Sequence, residues 1–524
     1  MCGFLVTLKM DKSTFDSAFK SIAHRGPDDH NIVEFSHGVF GFHRLAIMDL
    51  SHSGNQPFQI SNDLLVCNGE IYNYLPLKDE CMDHQFKSSS DCEVLLPLYH
   101  KWGIKELSNK LDGEFAFVIW DDRIKKLLAS RDPMGIRPLF YTVSSSGQYM
   151  FASEAKALSP FADKVLPFPP GHYFDGEKIQ SYLDLTDDRG VKHTDLNEIK
   201  RGIKHLLTSA VEKRLQSDAE VGFLLSGGLD SSLVCAIAQS MSKKPIRTFS
   251  IGMPHDAIDS KYAEIVADYI GAKHTSVVMT WEEIKASLKD VIFQLETWDI
   301  TTIRASLGMY LVCKYIHQKT NIKVLLTGEV SDELFGYKYT DFAPSPEAFQ
   351  EEAKKRIREI YLYDVLRADR SISAHSLEAR VPFSDKDFVR FVMHIDPKLK
   401  MNTTGVGKFL LREAFKESKL LPDSILWREK AAFSDAVGHS MVDEIKAYVE
   451  TLYSEEEFKT KCQKYSHCPP FTKESLFYRE IFEEFFQGKE KLIPDYWMPN
   501  KSWQNCNVLD PSARALPNYG ASGK

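Results

Sequence analysis

Up to about residue 153, short apolar runs alternate with polar positions, and Gly, Pro, Asn and Asp punctuate them. CGFLVTL (2–8), VFGFHRLAIMDL (39–50), DLLVCNGEIY (63–72) and GEFAFVIWDD (113–122) read as β-strands. So do KLLASRD (126–132), PLFYTV (138–143) and YMFAS (149–153). One helix stands out, over SDCEVLLPLYHKWG (90–103). Many strands with few helices predict an α+β unit of stacked antiparallel sheets.

The polar stretch DLTDDRGVKHTD (184–195) interrupts this rhythm and reads as a linker. Past it, helix and strand alternate. A helix in LNEIKRGIKHLLTSAVEKRL (196–215) precedes the strand VGFLL (221–225) and a helix in SSLVCAIAQSM (231–241). The strand IRTFSIGM (246–253), a helix in SKYAEIVADYIG (260–271) and the strand HTSVVM (274–279) follow, with a later strand at KVLLT (323–327). That alternation predicts an α/β unit whose parallel sheet carries helices on both faces. From about residue 345 to 488 the chain reads as mostly helical, and the tail from MPNKSW (498–503) onward as irregular and partly loose. The expected domains are 2–187 and 195–524.

Composition narrows the classes. A chain of 524 residues exceeds one compact core. A net charge of −8 with no basic run argues against a nucleic-acid binder. Nine cysteines, an odd set without a CxxC pair, read as reduced thiols and not as a disulfide framework or zinc site. The start MCGFLVTLKMDKSTFD meets charges before a hydrophobic core develops, so no secretory leader is expected. The longest nearly uncharged stretch (221–242) is broken by Gly227, Gly228 and Asp230, so it is no membrane span. The expected compartment is the cytosol.

The sharpest chemistry lies in LLSGGLDSS (224–232), between a strand and a helix. Its glycines admit close backbone approach, the helix start offers free N–H groups, and Ser226, Ser231 and Ser232 add hydroxyls. The loop suits a phosphate, yet it lacks the GK[ST] ending that marks γ-phosphoryl transfer. Asp230 would repel a bare phosphate, so a divalent cation between them is implied. The plain alternative is a glycine turn capped by serines. LLTGEVSDELFGY (325–337) follows another buried strand, and the carboxyl ends of parallel strands are where such sheets bind ligands. There Asp332 would add an oxygen to the cation, and Glu329 would act as general base or position a nucleophile; alone, the cluster would read as a solvated loop. ETWDITTIRAS (296–306) offers Thr301, Thr302 and Arg304 to a carboxylate substrate. LEARVPFSD (377–385) offers Arg380, and WREKAAFSDAVG (427–438) offers Lys430. Taken alone, each of these cations reads as a surface charge. Finally, Cys2 follows the initiator methionine. If Met1 is removed, the thiol lies beside its own α-amine, with a reference pKa near ~8, as in N-terminal nucleophiles.

In order and spacing these motifs resemble the glutamine-hydrolysing asparagine synthetases, over nearly the whole chain to DPSAR (510–514). HRGPDD (24–29), HRLAIMD (43–49), NGEIYN (68–73), SSDCEV (89–94), SRDPMGIRPLFY (130–141) and FASEAKAL (151–158) carry the N-terminal part. The resemblance implies an N-terminal glutaminase domain of the αββα N-terminal-nucleophile type and a C-terminal ATP-pyrophosphatase domain. In the first, Cys2 attacks the glutamine amide while Asn68 and Gly69 form the oxyanion hole. Arg44 holds the α-carboxylate, Glu70 and Asp91 the α-ammonium, and Ile47 and Met48 supply backbone contacts. In the second, ATP lies over Ser226, Gly227, Gly228, Asp230 and Ser231, with Leu225, Ile251, Thr327 and Gly328 around the nucleoside. Mg²⁺ is held by Asp230 and Asp332, Lys430 neutralises the phosphate, and Glu329 takes a proton from ammonia. Thr301, Thr302, Arg304 and Arg380 are weaker contacts to aspartate or phosphate. The implied partners are glutamine, aspartate and ATP, and a homodimer is compatible with the sequence.

One position departs from the family pattern GEGSDE: Val330 replaces its second glycine. If that glycine uses positive φ, a β-branched residue there is strained. Two other readings stay open. One is a different amidotransferase or a β-lactam-forming relative on the same scaffold; Cys2 and Lys430 disfavour the β-lactam version. The other is a stress or storage protein without synthetase turnover, which Val330 favours.

Overall fold

In the computed structural model, which describes residues 1–8, 11–144, 147–254, 257–429 and 439–519, the N-terminal strands pair into two six-stranded sheets. The first runs Leu166–Pro167, Phe140–Val143, Tyr149–Ala152, Gly3–Leu8, Gly38–Arg44, Asp29–Phe35. The second runs Ile179–Ser181, His172–Phe174, Lys126–Arg131, Gly113–Asp121, Asp63–Ile71, Phe58–Ile60. All these pairings are antiparallel.

The strand period of two explains the layering. Phe4, Val6, Phe40 and Phe42 of the first sheet meet Leu64, Val66, Val118 and Trp120 of the second in one core. Each such side chain contributes roughly 1.5–3 kcal/mol by leaving water. Leu5, on the opposite face, packs with Phe15, Ala18 and Phe19 of the helix Lys12–Lys20. On the far side, Leu65, Phe115 and Phe117 pack with Leu95, Leu96 and Leu107 of the helix Leu95–Lys110. Two of these elements escape the periodicity argument. The helix Lys12–Lys20 buries only three residues and is held by its Asp11 cap, which accepts from the Thr14 N–H at 3.0 Å. The strand Asp29–Phe35 lies at a sheet edge without one buried residue.

After Ser181 the chain is irregular until Leu196–Arg214, a helix whose Asp195 cap accepts from the Glu198 N–H at 2.8 Å. A five-stranded sheet follows, ordered Lys273–Val278, Arg247–Gly252, Val221–Leu224, Val324–Leu326, Glu378–Arg380, and parallel throughout. The α/β expectation is met. The fifth strand was not legible, because three fully buried residues reading Glu-Ala-Arg give no apolar run. Helices such as Pro346–Glu359, Asp364–Ser373 and Lys473–Phe486 dominate the C-terminal part.

As far as Tyr519, the tail is irregular, as expected, but packed. Trp503, Cys506 and Leu516 share a core with Tyr339 and Phe349, so a few apolar anchors suffice in a polar stretch. Among the described residues no helix is long and apolar enough to cross a membrane.

Candidate functional site

Both loops expected to handle phosphate leave neighbouring parallel strands at their carboxyl ends. Val221–Leu224 pairs with Val324–Leu326, Phe223 opposite Leu326. From the first of these strands the chain steps outward to Arg247–Gly252 and Lys273–Val278, then returns to its other side. Such a switch point opens a crevice. Here it forms a cavity of about 240 Å³.

Leu225, Ser226, Gly228, Asp230 and Ser231 line this cavity. Ile251, Thr327, Gly328, Glu329 and Asp332 join them from the adjoining strands. The helix Leu229–Met241 starts at the cavity, so its free N–H groups face the space. Gly227 serves the turn: it adopts φ +70°, and a Cβ there would stand 2.5 Å from the Ala263 nitrogen. Gly328 lets the two loops touch, since its Cβ would lie 2.8 Å from the Ser231 nitrogen.

The two carboxylates expected at the metal do converge, and a lysine lies between them. Lys408 Nζ donates to Asp230 Oδ1 at 2.7 Å and Oδ2 at 2.8 Å, and stands 2.6 Å from Asp332 Oδ1. Ser331 Oγ accepts from the same ammonium at 2.9 Å. Sequence reasoning missed Lys408; the only signal was its place after Gly405 and Gly407 before a helix.

Glu329 Oε1 lies 3.6 Å from Arg367 Nη2, while its buried Oε2 has no hydrogen-bond partner among the described residues. Glu333 lies against the same cavity, and burial beside Asp364 and Asp332 pushes its carboxyl up to about 8. Val330 has φ 79° and ψ −22°, in the left-handed region. The strain expected of a β-branched residue in a glycine position is therefore present.

The weaker candidates divide. Thr301 and Arg304 line the cavity. The Arg304 guanidinium, however, is spent on Glu474 and on the tail, donating to Asp510 Oδ1 at 2.9 Å and Ser512 Oγ at 2.7 Å. Thr302 is corrected: it is buried and does not line the cavity, and its N–H and Oγ1 both donate at 2.8 Å to Oδ2 of Asp299, the cap of the helix Ile300–Lys319. Arg380 is corrected too, for it does not line the cavity and its guanidinium points to the N-terminal half. Lys430 lies outside the described residues.

The N-terminal candidates come from both sheets: Cys2 precedes Gly3–Leu8 and Arg44 ends Gly38–Arg44 in the first, and Asn68, Gly69 and Glu70 lie on Asp63–Ile71 in the second. Cys2 Sγ lies 3.6 Å from the Leu45 carbonyl oxygen, which it meets as donor, and burial pushes the thiol up to about 11. Met1 precedes it, fully buried, its ammonium donating to Leu377 O at 3.2 Å. Arg44 donates to the Ser51 carbonyl at 2.5 Å and to that of Asp49, which fixes the guanidinium on this turn; Ile47 is buried and Met48 half-buried. Asn68 is fully buried, and neither atom of its amide has a partner among the described residues. A buried amide without a partner is costly unless a ligand completes it. Gly69 follows, packed so tightly that a Cβ would stand 2.4 Å from Glu114 O. Glu70 and Asp91 are both buried carboxyls; Asp91 accepts from the Ile71 N–H at 2.6 Å, and burial raises it to about 6.

Comparison with known proteins follows this division. Residues 1–216 match the glutamine amidotransferase domain family, and residues 202–346 and 341–516 match the asparagine synthase family. The asparagine synthetase [glutamine-hydrolyzing] of Gallus gallus is 40% identical over 562 residues, covering 99% of this chain and 99% of that one. Those of Cricetulus griseus and Mus musculus are each 41% identical, covering 97% of this chain and 96% of theirs. With full-length identity at this level, the chain belongs to the glutamine-hydrolysing asparagine synthetase family.

Proposed function

We propose that this carbon–nitrogen ligase makes L-asparagine from L-aspartate, using ATP and ammonia released from L-glutamine. One observation carries the reading: a phosphate loop and an acidic loop open on one cavity, while the other half holds a buried amide without a partner among the described residues. Residues 2–187 would be the glutaminase domain, of the αββα N-terminal-nucleophile type, and residues 195–524 the synthetase domain. The last N-terminal strand, ending at Ser181, and the helix beginning at Leu196 support that division.

Removal of Met1 would leave the Cys2 α-amine next to the thiol, and this amine would take the thiol proton. The sulfur attacks the glutamine side-chain carbonyl carbon, and the resulting oxyanion meets the Asn68 amide and the Gly69 N–H. The C–N bond breaks with return of the proton, releasing ammonia, and water hydrolyses the thioester to glutamate. Arg44 holds the α-carboxylate, and Glu70 with Asp91 holds the α-ammonium.

In the cavity, an aspartate side-chain oxygen attacks the α-phosphorus of ATP, and the bond to the β-phosphate oxygen breaks, giving β-aspartyl-AMP and pyrophosphate. Ammonia then attacks the acyl carbon, AMP leaves, and Glu329 takes the surplus proton through its free Oε2. Ser226, Ser231 and the helix start bind the phosphates, and Lys408, moving off its carboxylates, and Lys430 balance their charge. Arg367, with Glu333 and Asp364, offers a cation and two carboxyls to the aspartate α-groups. Asp230 and Asp332 would hold Mg²⁺: two carboxylates completed by phosphate oxygens suit this ion. When bound, it would neutralise the phosphate charge.

The test supplies aspartate, ATP, Mg²⁺ and amide-labelled glutamine. The expected products are asparagine labelled at its side-chain amide, glutamate, AMP and pyrophosphate. ADP and inorganic phosphate instead would sink the adenylate route. The strain at Val330 favours a second reading, a glutaminase that has lost synthetase turnover. Labelled ammonia without asparagine or AMP would select it.

A further inference from the structure

Arg380 is held on three sides by its own half of the molecule. Its Nε donates to Glu378 Oε1 at 2.8 Å, and its Nη1 donates to the carbonyls of Arg214 at 2.9 Å and Gln216 at 2.5 Å. The remaining nitrogen, Nη2, is fully buried, has no aligned hydrogen bond, and stands 3.0 Å from Glu70 Oε2. Glu70 belongs to the strand Asp63–Ile71 in the other half, directly after Asn68 and Gly69. The Arg380 carbonyl accepts from the Thr327 N–H at 3.0 Å, and Thr327 lines the nucleotide cavity. One residue thus touches an element of each site.

We propose that Arg380 is a positioning residue of the glutaminase reaction, holding the Glu70 carboxylate across the domain boundary where it meets the glutamine α-ammonium. This rests on the reading of Glu70 as an ammonium ligand. Four charged groups face Glu70: Arg380 and Glu378 from the strand Glu378–Arg380, Asp91 from the turn Asp91–Val94, and Arg137. Burial raises the Glu70 carboxyl above its ordinary range, with Glu378 and Asp91 pushing the same way, and Arg380 is the strongest opposing influence. Without the guanidinium the carboxyl would protonate at higher pH and lose its attraction for a cation. A firmly anchored arginine also cannot follow the ligand. The glutamine site is then complete only when the two halves are docked.

The experiment compares full-length Arg380→Met, Arg380→Lys and Glu70→Gln with the parent, measuring glutaminase KM and kcat against pH and ammonia-dependent synthesis. Arg380→Met should raise the glutamine KM about tenfold or more, change kcat less, and shift the acid limb of kcat/KM to higher pH. Arg380→Lys should recover part of both effects, and ammonia-dependent synthesis should persist in each. Unchanged glutamine KM and acid limb in folded Arg380→Met would overturn the proposal. So would loss of ammonia-dependent synthesis with glutamine KM intact, which would return Arg380 to the aspartate site. If Arg380→Met fails to fold, Arg380→Lys decides by the same shifts at smaller size. Glu70→Gln separates the levels: if its KM rises while the Arg380 variants match the parent, only this proposal falls. If its KM is unchanged, the reading of Glu70 itself falls.

Discussion

Val330 shows how one side chain trades two effects. Its left-handed backbone costs roughly 1–3 kcal/mol for a β-branched residue. It is also 1% exposed, and burying a valine returns about 1.5–3 kcal/mol. The terms nearly cancel, so Val330→Gly should leave the melting temperature within a few degrees of the parent. The rate should respond more, because Glu329 precedes this turn and small displacements of a catalytic group cost large factors. Ammonia-dependent AMP formation by Val330→Gly should exceed that of the parent. An equal or slower rate would mean that Glu329 is already well placed. In the sequence, motifs single out candidates of this kind, as at Cys2, Asn68 and Asp230. Lys408 was not, because nothing in a lone lysine says that two distant carboxylates will close on it.

At the scale of elements, the parallel strands do the selecting. Val221–Leu224 and Val324–Leu326 stand side by side, so their loops must share one crevice although a hundred residues separate them. Asp230→Asn and Asp332→Asn should each depress aspartate-dependent pyrophosphate–ATP exchange on the order of a hundredfold. Glutaminase activity should stay near the parent level, since neither residue belongs to the N-terminal sheets. Near-normal exchange in either variant would remove that residue from phosphate binding. The strand Glu378–Arg380 illustrates what periodicity misses. Its charges are buried because Arg137, Glu70 and the carbonyls of Arg214 and Gln216 neutralise or accept them. Without those partners a Glu-Ala-Arg segment has no reason to enter a sheet.

For the whole molecule, the two halves meet through buried charge. Arg25 joins Asp369 at 2.9 and 3.0 Å, Arg214 joins Glu114 at 2.8 Å, and Arg137 approaches Glu378 at 3.4 Å. Removing one member of such a pair leaves a buried charge uncompensated, so docking is expected to be maintained throughout turnover. The chemistry nevertheless remains separable. Cys2→Ala should abolish glutamine-dependent synthesis and leave synthesis from ammonium salts within a few-fold of the parent, checked by asparagine formation with each nitrogen source. Loss of both activities in folded protein would contradict two separate sites.

Local pattern was enough for the alternating strands of the N-terminal half, the helix–strand alternation after residue 195, and the loops SGGLDSS and TGEVSDE. These depend on side-chain period, glycine freedom and helix starts, all properties of neighbouring residues. The tertiary structure alone decided that Arg304 anchors the tail, that Lys408 bridges Asp230 and Asp332, and that Arg380 faces Glu70. An arginine or lysine looks the same in sequence whether it meets water, substrate or a buried carboxylate. Only the fold brings the partner within about 3 Å, where Coulomb attraction in a poorly solvated interior decides its role.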